Sequence, residues 1–201
     1  MSGILGKKVG MTRLIQDDGR VIPVTVLICE PSEVTQVKTV DKDGYPAIVL
    51  GFSKLKKPTK TKKYRYVKEF RINEDEQENY KKGDQITIDS LQEVETVKIS
   101  SVSKGKGFQG VIKRYNFSRG PETHGSHHHR EPGSIGACAK PGRVHKGKKM
   151  PGRMGRAKVT IGNVKIAHLD PKNHIVALKG PVPGPNGGLV IIGPFAKRTQ
   201  G

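Results

Sequence analysis

Several residue types on which other protein classes depend are scarce in this chain. Its 201 residues contain no tryptophan and only two cysteines, Cys29 and Cys138, and aromatic residues make up 5% of it. Two distant cysteines do not make the disulfide framework of a small secreted protein, so they favour a reducing compartment. The longest nearly apolar run, residues 21–29, is far too short for a membrane span, and the start lacks a secretory signal pattern. These absences predict a soluble, cytoplasmic protein.

Acidic residues are also few. Asp and Glu number 18 against 37 Lys and Arg, which gives a formal net charge of +19. Such an excess repels itself in the free protein and attracts polyanions. Because no amphipathic helix with a bulky apolar face is evident, the partner predicted from charge is nucleic acid and not a membrane surface.

Signatures of catalysis are missing as well. The sequence has no GxSxG, HExxH or P-loop motif and no convincing carboxylate pair. Glu122 and Glu131 stand isolated among cations and are better explained as ion-pair partners. We therefore predict that the chain is not an enzyme and takes neither a cofactor nor a small-molecule substrate.

The apolar pattern predicts a mostly β fold. Short β-branched or alternating segments are separated by turn residues, which is typical of an antiparallel sheet and not of βαβ units. Outside the segment 104–158, only residues 74–80 suggest a short helix. The expected strands cover residues 9–16, 21–29, 34–40, 45–52, 85–88, 93–103, 159–169, 175–179 and 189–192. The pattern is interrupted after residue 103 and resumes at 159, which predicts one antiparallel β-barrel body (1–103 and 159–201) carrying an insertion (104–158).

The interrupting segment, residues 104–158, is rich in glycine and cations and has few large apolar residues. It cannot bury enough surface to offset its ordering entropy, so we expect a polyanion to order this long, irregular extension. A short helix over residues 108–115 would present its cations to an RNA backbone. The side chains expected to bind RNA are Lys104, Lys106, Lys113, Arg114, Arg119, His124, His127, His128, His129, Arg130, Lys140, Arg143, His145, Lys146, Lys148, Lys149, Arg153, Arg156 and Lys158.

Three patterns leave alternatives open. The basic run 54–68 is either a solvated loop or a further RNA contact. The Gly105-x-Gly107-x-x-Gly110 spacing matches a dinucleotide fingerprint, as a nucleotide-using or RNA-modifying enzyme would need, but the required second strand is missing. The histidines with Cys138 suggest zinc, yet the paired short ligand spacings are absent, so stacking on RNA bases is favoured and no metal is predicted.

Several collinear motifs resemble the bacterial large-subunit ribosomal protein L3 family over essentially the full length. They are GKKVGMT (6–12), VTQVK (34–38), SKGKGFQGxxKR (103–114), THG (123–125), PGSIG (132–136), KGKKM (146–150) and KGxVPG (179–184). Within the first motif, Lys7 and Lys8 are added to the predicted RNA-binding residues.

The resemblance implies a structural ribosomal constituent with a β-barrel like that of translation factors. It implies that the extension runs through large-subunit rRNA toward the peptidyl-transferase centre, that the protein acts early in subunit assembly, and that its other partners are neighbouring large-subunit proteins. Three departures accompany it. Lys98 replaces a common acidic residue, residues 54–69 are shorter than usual, and Arg153 replaces a glutamine that is methylated in some members.

Overall fold

The computed structural model describes residues 3–195, which are mostly β, as predicted. The strands are β1 (Ile4–Ile15), β2 (Val21–Ile28), β3 (Ser32–Lys38), β4 (Ala47–Lys54), β5 (Tyr64–Arg71), β6 (Gln85–Ile86), β7 (Thr96–Val102), β8 (Gly107–Gln109), β9 (Gly152–Met154), β10 (Lys158–Asp170), β11 (Ile175–Lys179) and β12 (Leu189–Pro194). The helices are α1 (Val40–Asp43), α2 (Glu74–Gln77) and α3 (Val111–Tyr115), with a 3-10 turn at Ile88–Leu91.

The described chain divides into two compact units. One, called the body below, consists of the described parts of Met1–Ser103 and Lys158–Gly201. The other, called the insert, is Lys104–Ala157. Lys158, which the sequence placed in the extension, is instead the first residue of β10 in the body.

Six body strands close into an antiparallel ring in the order β1-β12-β7-β10-β11-β2. Side chains alternate across these strands, because successive residues of a strand point to opposite faces. Ile4 of β1 and Val190 and Ile192 of β12 belong to the core inside the ring. Bulges in β1, between Lys8 and Gly10, and in β10 interrupt the pairing register and favour the bending that closure of a ring needs.

A second sheet of the body, in the order β5-β4-β3-β6, packs on the other face of β1 and β12. Leu5, Leu189 and Ile191 alternate with the ring-core residues and contact Ile48, Leu50 and Phe52 in a separate apolar cluster. The two faces of β1 and β12 are thus both buried near their pairing. This explains why apolar residues are consecutive at Ile4–Leu5 of β1 and at residues 189–192 of β12.

Most of the predicted elements are present, with shifted ends. The two N-terminal strand pairs form as expected, although α1 occupies part of the second connection. The strand predicted at 85–88 is only Gln85–Ile86, because the chain turns into the 3-10 helix at Ile88. Among the described residues, no helix is long and apolar enough to cross a membrane.

Two predictions were incomplete where glycine and lysine dominate the sequence. The basic run 54–68 was expected to be a loop, but its second half begins the eight-residue strand β5. The helix expected at 108–115 begins only at Val111, and Phe108 lies in β8, a strand that the sequence did not indicate. Its partner β9 was also missed.

Candidate nucleic-acid interface

The insert begins and ends in a two-stranded antiparallel sheet. Gly107, Phe108 and Gln109 of β8 pair with Met154, Arg153 and Gly152 of β9. The backbone N–H of Lys106 extends this ladder by donating to the carbonyl oxygen of Met154 at 3.0 Å.

Gly155 allows the two arms of this sheet to approach each other. It has φ of +74°, and a Cβ atom there would lie 2.2 Å from the carbonyl oxygen of Lys104. Only glycine fits that position without displacing the backbone.

Helix α3 is joined to the returning chain by one arginine. Arg114 Nη1 donates to the carbonyl oxygen of Met150 at 2.7 Å, and its guanidinium lies 4.9 Å from the centre of the Tyr115 ring. Lys149 Nζ lies 5.8 Å from the same ring. We call these contacts the clasp, since they hold together residues on both sides of the irregular part of the insert.

Between these anchored ends, the insert has almost no interior. Residues 116–151 contain no helix or strand, and from Pro121 to Lys149 every residue except Ser126 is exposed. The hydrogen bonds found there are local, such as the one from the Gly120 N–H to the His129 carbonyl oxygen at 3.2 Å. The predicted lack of a core in this part of the insert agrees with its exposure.

The cationic candidates of the insert are displayed on its surface. All of them are exposed except Arg114, which is half-buried in the clasp. Arg119 contacts Glu122, so part of its charge is already paired within the protein. Arg114 is therefore better described as a residue that positions the insert than as a free phosphate ligand.

The histidines do not converge. His128 contacts Glu131, and His129 Nδ1 lies 3.0 Å from the Pro121 carbonyl oxygen. Within the described residues, no group of three or more His, Cys, Asp or Glu side chains could hold a metal ion. Cys138 is exposed, whereas Cys29 is buried, and burial raises the pKa of the Cys29 thiol to about 12.

The glycine motif at 105–110 does not have the geometry of a dinucleotide site. Its middle residues form β8, which is antiparallel to β9, and the following helix α3 has only five residues. A dinucleotide fold needs parallel strands and a longer helix whose N-terminus faces the pyrophosphate.

Two neighbouring candidates on β1 have different surroundings. Lys7 is exposed. Lys8 is buried, and its ammonium donates to the carbonyl oxygens of Val182 at 2.6 Å and Gly184 at 3.3 Å. The Lys8 ammonium thus holds the 180–188 loop against the ring, and an RNA contact of Lys8, which stays a prediction, would compete with these bonds.

Comparison with known proteins identifies the family of this chain. The family model described as Ribosomal protein L3 matches residues 33–195. The chain belongs to the ribosomal protein L3 family. It is 47% identical to the large ribosomal subunit protein uL3 of Geobacillus sp. (strain WCH70), with 94% of each chain covered. The identity is also 47% with uL3 of Geobacillus kaustophilus (98% of this chain, 97% of the relative) and 46% with uL3 of Carboxydothermus hydrogenoformans (94% and 95%).

Membership of the L3 family confirms several predictions made from the sequence. The family consists of structural, non-enzymatic ribosomal constituents, and bacterial ribosomes are cytoplasmic. The chain is accordingly a large-subunit ribosomal protein and not an enzyme. The individual RNA-binding residues stay predictions, as does the role of the basic run 54–68.

Sequence reasoning on this L3-family chain missed one exposed residue of the insert. Phe108 is 76% exposed, more than any other large apolar side chain within residues 3–195. It stands between Lys106-Gly107 and Gln109-Gly110, in a segment with few other large apolar residues. An isolated aromatic residue among glycines and cations is the sequence signal for such a site. The helix predicted over residues 108–115 emphasised the cations and not Phe108.

Proposed function

We propose that this chain binds large-subunit rRNA chiefly through the insert while the body anchors it. The observation that carries the proposal is the exposed, coreless segment 121–149, which has six Lys and Arg residues, five histidines and only two acids. An exposed polar segment of this composition gains little by folding alone, but phosphate neutralisation provides a large, salt-dependent binding energy.

The finer features belong to the same proposal. The closed ring is proposed to be a barrel of the translation-factor kind, and the insert is proposed to extend through rRNA toward the peptidyl-transferase centre. Binding early in subunit assembly and contacts with neighbouring large-subunit proteins complete it. Membership of the L3 family supports these features, and the clasp gives the insert a fixed start and end from which to reach into RNA.

The primary test measures affinity for a large-subunit rRNA transcript at several salt concentrations. Six to ten phosphate contacts would weaken binding on the order of a thousandfold or more between about 50 and 200 mM salt. Replacing residues 120–149 by a short Gly/Ser linker retains β8, β9 and α3, and we expect it to weaken binding and flatten the salt dependence. Unchanged affinity in that variant would overturn the role given to the insert.

A charge-matched pair of full-length variants separates the insert from the general effect of net charge. One replaces the six cations of residues 121–149 with glutamine: Arg130, Lys140, Arg143, Lys146, Lys148 and Lys149. The other replaces six exposed cations of the body that lie outside the basic run 54–68: Arg13, Lys42, Lys81, Lys82, Lys165 and Lys172. We expect the first to lose more affinity. Equal losses would mean that binding follows total charge and does not depend on where the charge lies.

A further inference from the structure

The aromatic ring of Phe108 is largely exposed to solvent. The side chain is 76% exposed on a strand of only three residues. Cβ atoms added at Gly107 or Gly110 would meet nothing within 4 Å, so both positions adjoin open space. The ring therefore has free room on both sides along the chain. Single exposed apolar side chains are common on protein surfaces, so the aromatic ring together with its charged neighbours, and not its exposure alone, points to a partner.

The charges around the ring indicate the chemistry of that partner. Arg153 is the direct cross-strand partner of Phe108, and opposite residues of antiparallel strands project from the same face. Lys104 and Lys106 precede the ring along the chain, and both side chains are exposed. An apolar protein surface that covered the ring would lie among these cations with no charge to pair with them. A nucleotide suits the site better, because it combines a flat aromatic base with an anionic phosphate.

We propose that Phe108 stacks on an unpaired base of RNA while Arg153 and Lys106 contact the adjoining phosphates. This inference rests on the proposed RNA-binding function and adds a ligand class and a residue to it. Single-stranded bases are commonly held by stacking on aromatic side chains next to cations that follow the backbone. Gly107, with φ of +71°, and Gly110 leave room for a base to approach the ring.

The first experiment compares the salt dependence of binding among full-length variants, with a bacterial large-subunit rRNA transcript as the probe. We expect Phe108→Ala to weaken binding on the order of ten- to a hundredfold at every salt concentration, because lost stacking releases no counterions. Arg153→Ala should instead lower the slope of log affinity against log salt by about 0.7 to 0.9. Ile15→Ala, which removes a 70% exposed apolar side chain from the body, is the matched control and should bind normally.

The second experiment uses the absence of tryptophan from the sequence. Phe108→Trp places a single fluorescent indole at the proposed site, and stacking on a base should quench its emission when the transcript is added. Binding of normal affinity with no quenching would overturn the stacking proposal. Failure of the wild-type chain to bind the transcript would instead overturn the proposed function on which it rests.

A last comparison distinguishes stacking from simple apolar contact. Phe108→Leu keeps an apolar side chain but has no aromatic face, so we expect it to bind nearly as poorly as Phe108→Ala, while Phe108→Tyr binds normally. Full affinity in Phe108→Leu would mean that the ring meets an apolar protein surface or none. Because Phe108 is so exposed, these variants should unfold at the same urea concentration as the wild type.

Discussion

The adjacent lysines Lys7 and Lys8 on β1 have different surroundings, so their mutation should have different effects on stability. The Lys8 ammonium donates to the carbonyl oxygens of Val182 and Gly184. In Lys8→Met these buried acceptors lose their donor, which should lower the free energy of unfolding by roughly 1–3 kcal/mol. Lys7→Met changes only an exposed charge and should leave stability nearly unchanged. Urea unfolding of the two full-length variants measures this, and equal stability would contradict the structural role of Lys8.

Glu33, on β3 of the second sheet, should make the stability of the protein depend on pH in the acidic range. The Tyr64 hydroxyl donates to the Glu33 carboxylate, and this bond, with smaller help from Lys54, lowers the pKa of Glu33 below 4.5. A carboxyl whose pKa is lowered by folding stabilises the protein above its unfolded pKa, and that stability is lost as the pH falls through the lowered value.

The corresponding mutation is Tyr64→Phe, which keeps the buried ring and removes the hydroxyl. We expect it to reduce stability near neutral pH by about 1 kcal/mol or less, and the difference from wild type to shrink below pH 4.5. Lys54→Ala serves as a comparison, because the Lys54 side chain is 71% exposed and should contribute less. Unfolding midpoints measured across this pH range provide the test. A difference that grew on acidification would contradict the assignment.

At the scale of the elements, the sequence identified strands where apolar side chains alternate and failed where backbone contacts decide. The ring strands β2, β7, β10 and β11 carry β-branched residues and were located to within a few positions. Strand β5 was not predicted, because lysines and arginines occupy several of its exposed positions. It forms through the burial of Tyr64 and the pairing with β4, which are tertiary features.

The short sheet of the insert could not be predicted for a different reason. Strands β8 and β9 are 42 residues apart in the chain and consist of three residues each, so no periodic pattern exists for them to show. Their pairing depends on close backbone approach at Gly155 and on the Arg114 bond to Met150, which are contacts between distant residues. The candidate cations, by contrast, could be named from composition alone, because exposure of charge is the default.

Gly155 provides the test of this element. In Gly155→Ala the new Cβ would collide with the Lys104 carbonyl oxygen, so the β8–β9 pairing should open. The Lys106 amide, which donates to Met154, should then lose protection from hydrogen exchange. Gly107→Ala is the matched control within the same sheet: Gly107 also has a positive φ, of +71°, but its Cβ would meet nothing within 4 Å. Equal loss of protection in both variants would mean that backbone strain alone, and not the collision, opens the sheet.

For the whole molecule, stability should be distributed very unevenly. Ring residues such as Leu27 and Val176 are fully buried, whereas residues 121–149 are exposed and carry only local hydrogen bonds. In the free protein we expect amides of the ring to exchange slowly and those of 121–149 to exchange at nearly unprotected rates. Hydrogen exchange read by mass spectrometry measures both at once. Slow exchange throughout 121–149 without RNA would show that the segment is stabilised by the protein itself.

Val102 and Lys158 face each other as partners across β7 and β10. The chain leaves the body after Ser103 and re-enters it at Lys158. The insert is thus a long connection between two antiparallel, paired strands of the ring, and the ends of this connection lie next to each other. Doubling the length of a flexible connection costs only about 0.6 kcal/mol in closure entropy. A change in the length of this stretch therefore costs the ring little free energy, provided that the β7–β10 hydrogen bonds at its base are kept.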